Sequence, residues 1–401
     1  MKKTITKLML FCTMAMQAQY VSIPDTNFRA LLKAQYPSCF NTSALMDTSC
    51  TEIINATHME IPALSIADLE GIQYFDNLQS LSCHSNVLTS LPKLPATLRY
   101  LNCSRNQLST LASLPSTLKI LHCERNKLMA LPSLSDLDTL ICADNQLTVL
   151  PPLPSTLALL NCQENLLSSL PPLPAQLDTL SCSSNRLTSL PSLPSLVFLN
   201  CSSNQLANLP ALPATLKYLN CNANLLSSLP ALPATVTSLY CTHNDLTTLP
   251  PLPSSLKTLA FTSNKLATLP TLPSGLQHLY CGQNSFTSLQ GLPSSLKTLI
   301  CFLNQLTSLE PLPSTLTTLD CSSNPLTALP TLPPSLTYLN CSSNQLSSLP
   351  ALPMALNTLY CSKNQLSILP LLPDNLQHLY CDGNEISNLP ALPNDLITLN
   401  C

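Results

Sequence analysis

Apolar residues recur along this chain in a unit of 20 residues, shortened to 19 residues at two steps. Each unit contains the pattern Leu-x-x-Leu-x-Cys, and an Asn follows the Cys by three residues. In one unit Leu101 and Cys103 alternate with Tyr100 and Asn102, which is the period-2 pattern of a short strand with one buried face. The pattern therefore predicts one short strand per unit, with its leucine and cysteine side chains pointing inward.

The segment after each predicted strand is typical of a turn and an extended return path. The Asn side chain can bond backbone groups that the turn leaves open, in its own coil and in the next. Two prolines stand in the return path of most units, such as Pro210 and Pro213, and proline disfavours helix at and before its own position. The 19-residue units lack one residue in this return path, so we expect their strands to stay intact.

A single unit cannot bury its own leucines, so we expect the units to stack as parallel coils. The pattern L-x-x-L-x-C-x-x-N-x-L, followed by L-P-x-L-P, resembles the short 20-residue class of bacterial leucine-rich repeats. It departs from most family members by carrying Cys at a position where they carry an aliphatic residue. The resemblance covers residues 78–401, or about 16 repeats. It implies an α/β-class repeat fold, a right-handed leucine-rich-repeat solenoid with short parallel β-strands on its concave face and an extended or polyproline-like convex side.

The N-terminal segments differ from the repeats. Residues 1–19 resemble a secretory signal peptide, with a basic start, a short apolar core and a polar exit. Residues 20–77 are predicted to form a cap and a first, atypical repeat, in which Met59 and Ile61 align with Leu81 and Cys83. The repeats proper then occupy residues 78–401.

Within the cap, a helix is expected to start at Asp25 or Thr26 and to stop before Pro37. Cys39 and Cys50 lie outside the repeat, and in a secreted protein they are predicted to form a disulfide that contributes about 2–3 kcal/mol. The segment resembles the N-terminal cap and first repeat of internalin-like surface proteins. That resemblance implies that it covers the first coil of the solenoid.

Composition narrows the possible partners. Charged residues make up 9% of the chain, the formal net charge is -3, and no run of Lys or Arg occurs. A nucleic-acid-binding protein needs a basic face, so nucleic acid is not an expected partner. No apolar run is long enough to span a bilayer, so no integral membrane segment is expected after signal cleavage. The sequence thus predicts a secreted or bacterial cell-surface protein.

The regular cysteines invite a metal or redox interpretation, which their positions disfavour. Zinc ligands converge from turns as C-x-x-C pairs, whereas these cysteines stand one per parallel strand and point inward. We expect small, buried, reduced side chains, and disulfides between neighbouring coils are the less favoured alternative. His278 and His378 stand three residues before a Cys, but residues three apart on a strand face opposite sides. No cofactor, metal site or catalytic residue is predicted.

The predicted concave face carries most of the chain's tyrosines. Seven of the 10 Tyr fall at outward positions of strands, among Thr, Ser and Asn. Large rigid rings with polar neighbours suit recognition of a protein or a carbohydrate. The alternative is that the rings stack along the sheet for stability alone. The predicted binding residues are Tyr218, Tyr240, His278, Tyr280, Tyr338, Tyr360, His378 and Tyr380.

Three functions remain open at this point. The first is a secreted or cell-surface scaffold for protein binding or adhesion, which is not an enzyme. The second is a structural surface array without a discrete site, and the third is the targeting part of a longer effector or enzyme. The chain stops at Cys401 in mid-repeat, which suggests a truncated C-terminal end. Effector ubiquitin ligases share this short repeat type, but their catalytic cysteine lies in a separate domain, so the resemblance does not imply that activity here. A discrete site should cluster in space, whereas a stabilising ladder should run evenly.

Overall fold

The computed structural model describes residues 19–61 and 63–401, so the predicted signal peptide lies outside the described residues except for its last position. The chain divides into two compact units, residues 1–137 and residues 138–401. In each unit short parallel strands stack one per repeat, and the described residues after Tyr74 contain no helix. The predicted fold, a parallel-strand leucine-rich-repeat solenoid with few helices, is confirmed.

The first unit begins with a cap built from two short strands and two helices. Strand β1 (Tyr20–Val21) pairs antiparallel with β2 (Met46–Asp47). Between them lie helix α1 (Thr26–Gln35) and a 3-10 turn (Pro37–Cys39), and helix α2 (Thr51–Ile54) follows β2. Helix α1 therefore starts and stops where the sequence predicts. It ends before Pro37 because proline cannot continue a helix.

Asp25 caps helix α1 and joins it to the first repeat. One oxygen of its carboxylate accepts hydrogen bonds from the backbone N–H groups of Asn27 and Phe28, both at 2.9 Å. The other accepts from the backbone N–H groups of Ala67 at 2.8 Å and Asp68 at 3.3 Å. Burial alone would raise the pKa of Asp25, but these four backbone hydrogen bonds outweigh it and lower the pKa below its ordinary value.

Two further features close the cap. Cys39 and Cys50 are joined by a disulfide, with their Cα atoms 5.5 Å apart. Gly71 precedes a 3-10 turn (Ile72–Tyr74) and has a φ of 117°, a left-handed conformation that favours glycine. A Cβ atom at residue 71 would also collide with the side chain of Ile23, which is fully buried. Glycine at this position therefore lets the first repeat pack directly against the cap.

The parallel sheet of the first unit has four strands: β3 (His58–Glu60), β4 (Ser80–Ser82), β5 (Tyr100–Asn102) and β6 (Ile120–His122). Strand β3 pairs with β4 so that Met59 lies opposite Leu81. This is the alignment predicted from the 22-residue step between these two residues. The first repeat therefore belongs to the sheet although its sequence departs from the repeat pattern.

The parallel sheet of the second unit has fourteen strands, each of three residues. They pair in register, so that the middle leucine of one strand lies opposite the middle leucine of the next. The strands are β7 (Thr139–Ile141), β8 (Leu159–Asn161), β9 (Thr179–Ser181), β10 (Phe198–Asn200), β11 (Tyr218–Asn220), β12 (Ser238–Tyr240), β13 (Thr258–Ala260), β14 (His278–Tyr280), β15 (Thr298–Ile300), β16 (Thr318–Asp320), β17 (Tyr338–Asn340), β18 (Thr358–Tyr360), β19 (His378–Tyr380) and β20 (Thr398–Asn400).

The core of each coil consists of the repeated leucines and the cysteine after the strand. In the coil that contains β11, Leu216, Leu219, Cys221 and Leu226 have no exposed surface. Two residues beyond the cysteine, Ala223 has a φ of 52°, and equivalent residues in the other described coils also have positive φ. This left-handed residue turns the chain out of the strand in every coil, which explains why the strands stop after three residues.

The repeated asparagine secures that turn. The side-chain N–H groups of Asn224 donate to the carbonyl oxygens of Cys221 in its own coil and Cys201 in the preceding coil, both at 3.1 Å. Its side-chain oxygen accepts from the backbone N–H of Leu206, also in the preceding coil, at 3.0 Å. The predicted role of the asparagine is thus correct, but the prediction that it reaches the next coil is wrong. The turn that contains the asparagine lies against the preceding coil, so the backbone groups open to its side chain belong to that coil.

The return path contains a second polar ladder that closes each coil. The hydroxyl of Thr235 donates to the carbonyl oxygens of Ala214 at 2.8 Å and Leu216 at 2.7 Å in the preceding coil. Many coils carry Thr or Ser at this position, just before the leucine that leads into the strand. In the 19-residue repeat before β10 the turn is one residue tighter, because the N–H of Leu196 bonds to Pro194. Strand β10 nevertheless keeps its three residues, as expected.

Candidate binding face

The outward surface of the second unit's sheet is formed by the first and third residues of each strand. In β11, for example, Tyr218 and Asn220 are partly exposed while Leu219 between them has no exposed surface. We refer to this surface, from β10 to β20, as the sheet face. It carries all eight predicted binding residues, and they group unevenly along it.

The N-terminal ring group consists of Phe198, Tyr218 and Tyr240. The rings of Phe198 and Tyr218 are stacked with centroids 4.4 Å apart and planes at 6°. Tyr218 meets Tyr240 at 5.5 Å with planes at 42°. Tyr218 is the first residue of its strand and Tyr240 the third residue of the next, so this contact runs diagonally across the sheet.

The C-terminal ring group consists of Tyr338, Tyr360 and Tyr380. Tyr338 meets Tyr360 diagonally, with centroids 5.8 Å apart and planes at 48°. Tyr360 and Tyr380 occupy equivalent positions on β18 and β19, and their rings are stacked at 4.3 Å with planes at 7°. Two rings stacked at the strand spacing present their edges outward, and each covers one face of the other.

The two ring groups are separate. Tyr240 lies on β12 and Tyr338 on β17, so five strand spacings, or about 24 Å, separate the groups. Tyr280 lies between them, opposite Ala260 on one side and Ile300 on the other. Among the rings that the structure describes, it stacks with none, so the six predicted tyrosines form two clusters and one isolated residue.

The two predicted histidines have matching surroundings. The Nδ1 atom of His278 lies 3.1 Å from the hydroxyl of Thr298, and that of His378 lies 3.1 Å from the hydroxyl of Thr398. In each case the threonine is the in-register residue of the next strand. Both imidazoles are therefore held against the sheet rather than projecting freely, and neither joins a ring stack.

Local electrostatics differ between the tyrosines. Burial raises the pKa of Tyr218, and the neighbouring Tyr240 raises it further. Burial also raises the pKa of Tyr338, and there the carboxylate of Asp320 is the next cause. Burial raises the pKa of Tyr360 as well. The phenols of Tyr218, Tyr338 and Tyr360 are therefore neutral hydrogen-bonding groups at neutral pH.

Sequence reasoning did not single out three residues in this part of the chain. Asp320 lies beside Tyr338, and as an isolated charge in an uncharged stretch it could have been noticed. The ring of Phe302 covers Gly282, where a Cβ atom would approach it to 2.7 Å. Leu303 is 47% exposed and has a φ of 50°. Its neighbours in the repeat pattern, such as Ser323, are small or polar, and that contrast was the available signal.

The repeat cysteines that the structure describes are free and buried, except that Cys401 is exposed, so the expected burial is wrong for that residue. Cys162, Cys201 and Cys221 are free and fully buried. Burial raises the pKa of Cys162 and Cys201 to about 12, so both are neutral thiols at physiological pH. Within the described residues, no group of three or more His, Cys, Asp or Glu side chains could hold a metal ion.

The return path exposes a small apolar surface of its own. Leu371 is 86% exposed and Met354 is 65% exposed. Together with Leu352, Pro370 and Leu372 they line a shallow groove between two coils. This groove is made by return-path residues, so variants in it can serve as controls for variants in the sheet face.

No helix in the described part of the chain is long and apolar enough to cross a membrane.

Comparisons with known proteins agree with this architecture. A family model described as leucine-rich repeats (2 copies) matches residues 175–214. The structure of YopM from Yersinia enterocolitica is 40% identical in sequence, with a TM-score of 0.82 over 85% of this chain and 77% of that chain. No curated protein matched the chain in a search by sequence.

Two other solved structures are similar. YopM from Yersinia pestis, described as a leucine-rich effector protein, is 33% identical, with a TM-score of 0.60 over 86% of this chain and 88% of that chain. The functional domain of InlJ from Listeria monocytogenes, described as including a cysteine ladder, is 26% identical, with a TM-score of 0.67 over 88% and 78% of the two chains. The stacked coils, the repeated asparagine and these similarities together show that the chain belongs to the leucine-rich-repeat family.

Proposed function

We propose that this chain is a secreted or cell-surface scaffold that binds a protein partner on its sheet face, and that it has no catalytic activity of its own. Its repeat organisation is that of bacterial relatives such as the effector YopM, and leucine-rich-repeat solenoids serve as protein-interaction scaffolds. The proposed binding residues are the eight predicted ones, together with Phe198. We propose the cap at residues 20–77 and the repeats at residues 78–401 as its two functional parts.

The observation that carries the proposal is the clustering of the rings. A ladder that only stabilised the sheet would run evenly along it, because every strand offers the same two outward positions. The rings instead form two groups about 24 Å apart, with Thr, Ala, Ile and Asp at most outward positions between them. Clustered rigid rings are typical of interface anchors, which are enriched in tyrosine.

The geometry of the rings favours a protein partner over a glycan. A sugar needs a broad open aromatic face, whereas Tyr360 and Tyr380 each cover one face of the other at 4.3 Å, which leaves less ring surface open. Their exposed edges and hydroxyl groups suit the hydrogen bonds and side-chain contacts of a protein surface. Carbohydrate recognition is therefore the second candidate, favoured only by the general abundance of rings.

Two features support export of the chain. The disulfide between Cys39 and Cys50 is typical of proteins that fold in oxidising compartments. The hydrogen bonds from Ala67 and Asp68 to Asp25 tie the cap to the first repeat, as expected for an internalin-like cap that covers the first coil. Analysis of the N-terminus of the exported protein would test the proposed signal peptide at residues 1–19. A mature protein that still carries Met1 would contradict it.

The binding proposal can be tested with a random-sequence peptide library displayed on phage and selected against the full chain. Peptides that bind the sheet face are expected to lose about 30-fold in affinity when Tyr240 or Tyr360 is changed to Ala, because truncation of an interface anchor costs about 2 kcal/mol. Leu371→Ser is the matched control, since Leu371 is exposed on the return path. A glycan array probed with the same variants tests the second candidate.

The outcomes separate the proposals. If the selected peptides keep their affinity in both tyrosine variants and lose it in Leu371→Ser, the binding surface is the return path and the proposal is wrong. If both tyrosine variants bind every selected peptide as tightly as the wild type, but their free energy of unfolding is lower by about 1 kcal/mol or more, the rings serve stability alone. That result would favour the structural array.

A further inference from the structure

The two ring groups stand in different electrostatic surroundings. Residues 310–401 carry six carboxylates, Glu310, Asp320, Asp374, Asp382, Glu385 and Asp395, against one basic residue, Lys363, which gives a net charge of -5. Residues 138–309 carry five acidic and five basic residues, so their charges cancel. The C-terminal ring group therefore lies in the acidic part of a chain that is otherwise nearly neutral.

Two of these carboxylates lie near the C-terminal ring group along the sheet: Asp320 is the third residue of β16, beside β17, and Asp382 comes two residues after Tyr380. Asp320 accepts hydrogen bonds from the N–H and hydroxyl groups of Ser322, at 3.0 and 2.6 Å, and from the side-chain amide of Asn340 at 3.2 Å. Asp382 accepts from the hydroxyl of Ser362 at 2.6 Å and from the side-chain amide of Asn400 at 3.2 Å. These neutral donors hold both carboxylates in place.

Neither carboxylate has a cationic partner within the part of the chain that the structure describes. An ion pair that the structure does contain joins Lys265 and Asp245. Both Asp320 and Asp382 are partly exposed and keep free lone pairs toward solvent. Asp320, a fixed carboxylate without a cation beside the ring of Tyr338, attracts a positively charged group from outside the chain. Asp382 lies two residues beyond Tyr380, and Lys363 is its neighbour on the preceding coil.

The N-terminal ring group provides the contrast. Exposed lysines stand just before β11 and β13, at Lys217 and Lys257, whereas Lys297 precedes β15, between the two ring groups. The pKa of Tyr218 is raised by burial and by Tyr240, with no carboxylate among the causes. A cation approaching this group meets like charges, so a basic ligand should discriminate between the two ring groups.

We propose that the C-terminal ring group, Tyr338, Tyr360 and Tyr380, together with Asp320 and Asp382, binds an arginine- or lysine-bearing segment of the protein partner. This inference rests on the proposed function and specifies the chemistry of the partner. Guanidinium and ammonium groups bind tyrosine rings through cation–π contacts, and guanidinium also forms paired hydrogen bonds with a carboxylate. The tilt of 48° between Tyr338 and Tyr360 leaves these two rings without the face-to-face overlap of Tyr360 and Tyr380.

The test uses a synthetic peptide of alternating arginine and serine, titrated into the full chain by calorimetry, with an otherwise identical glutamate peptide as the negative control. Tyr360→Leu removes the ring and is expected to weaken binding of the arginine peptide about tenfold, as for a largely desolvated cation–π contact. Tyr360→Phe keeps the ring face and should retain affinity. Asp320→Asn keeps the side-chain shape but removes the charge, and a loss of about tenfold is expected.

Two matched variants show whether the effect is local. Tyr218→Leu makes the same change in the N-terminal ring group and should leave binding of the arginine peptide unchanged. Asp374→Asn removes one charge from the same acidic region but from an exposed residue of the return path, and it should have little effect. Thermal unfolding of each variant shows that it is folded.

Several results would overturn the inference. It is wrong if the arginine peptide does not bind, if Tyr218→Leu weakens binding as much as Tyr360→Leu, or if Asp374→Asn acts as strongly as Asp320→Asn. The last result would indicate a diffuse electrostatic field rather than a site. Peptides selected from the random library that still depend on Tyr240 or Tyr360 would then keep the proposed function intact while the basic partner is discarded.

Discussion

Replacing Asn224 by Ala tests the ladder of asparagines on which the coils depend. The side chain is 6% exposed and bonds the backbone of two coils. In its absence the carbonyl oxygen of Cys201 keeps the hydrogen bond from Asn204, and that of Cys221 keeps the one from Asn244. The backbone N–H of Leu206 loses the acceptor shown for it, the side-chain oxygen of Asn224.

The expected cost follows from this inventory. One buried N–H without a partner costs about 1–3 kcal/mol, and the carbonyl groups of Cys201, Cys221 and Asn222, which each keep another hydrogen bond, add less. We therefore expect Asn224→Ala to lower the free energy of unfolding by about 2–3 kcal/mol. Asn224→Asp should cost at least as much, because an oxygen then faces the carbonyl groups of Cys201 and Cys221, 3.1 Å from the present nitrogen.

Urea denaturation followed by circular dichroism measures the effect, and amide hydrogen exchange at Leu206 locates it. Asn388→Ala is the matched control, because Asn388 is exposed and its side chain makes only a 3.5 Å contact with the hydroxyl of Ser387. This control should change the free energy of unfolding by less than about 0.5 kcal/mol. If Asn224→Ala is no more destabilising than Asn388→Ala, or if exchange at Leu206 is unchanged, the assigned role of the ladder is wrong.

Three further predictions concern the turn, the cap and the cysteines. Leu303→Asn should raise the free energy of unfolding by about 1 kcal/mol in urea denaturation, because Leu303 is exposed at a φ of 50° and Asn tolerates this conformation better; a loss of stability would contradict this. Asp25→Ala should lower the stability of the cap by about 1 kcal/mol, measured by hydrogen exchange in α1. Since the pKa of Asp25 is lowered on folding, the wild-type advantage should be full above the ordinary value of 3.8 and be lost as the pH falls from there through the lower pKa of the folded state; an advantage independent of pH would argue against the assigned hydrogen bonds. Native thiol labelling should leave buried cysteines such as Cys162 and Cys201 unmodified, and because burial raises their pKa from 9.0 to about 12, the stability of the fold should decline as the pH rises through that window; rapid labelling of the native protein would refute the burial.

Much of the fold could be predicted from the sequence because one pattern recurs. A repeat of 20 residues places leucine and cysteine at the same points of every coil, and only parallel stacking in register buries them all. That pattern determines the strands and the burial of residues such as Cys221. The positions of proline determine the extended return path and the end of the helix Thr26–Gln35. The outward position of residues such as Tyr360 follows from the alternation of a strand.

What only the tertiary structure decided is which side chains meet. Tyr218 lies in register with Ser238, yet its ring packs diagonally against Tyr240, and this depends on the direction of each side chain across two strands. The asparagine reaches the preceding coil rather than the next, because that is where the stacked backbone leaves its groups open. Asp320 and Tyr338 are 18 residues apart in the chain. Asp320 becomes part of the candidate site only because its strand, β16, pairs with β17, the strand of Tyr338. Periodicity determines which face a residue occupies, whereas contacts within that face depend on rotamers and local charge, which vary from one coil to the next.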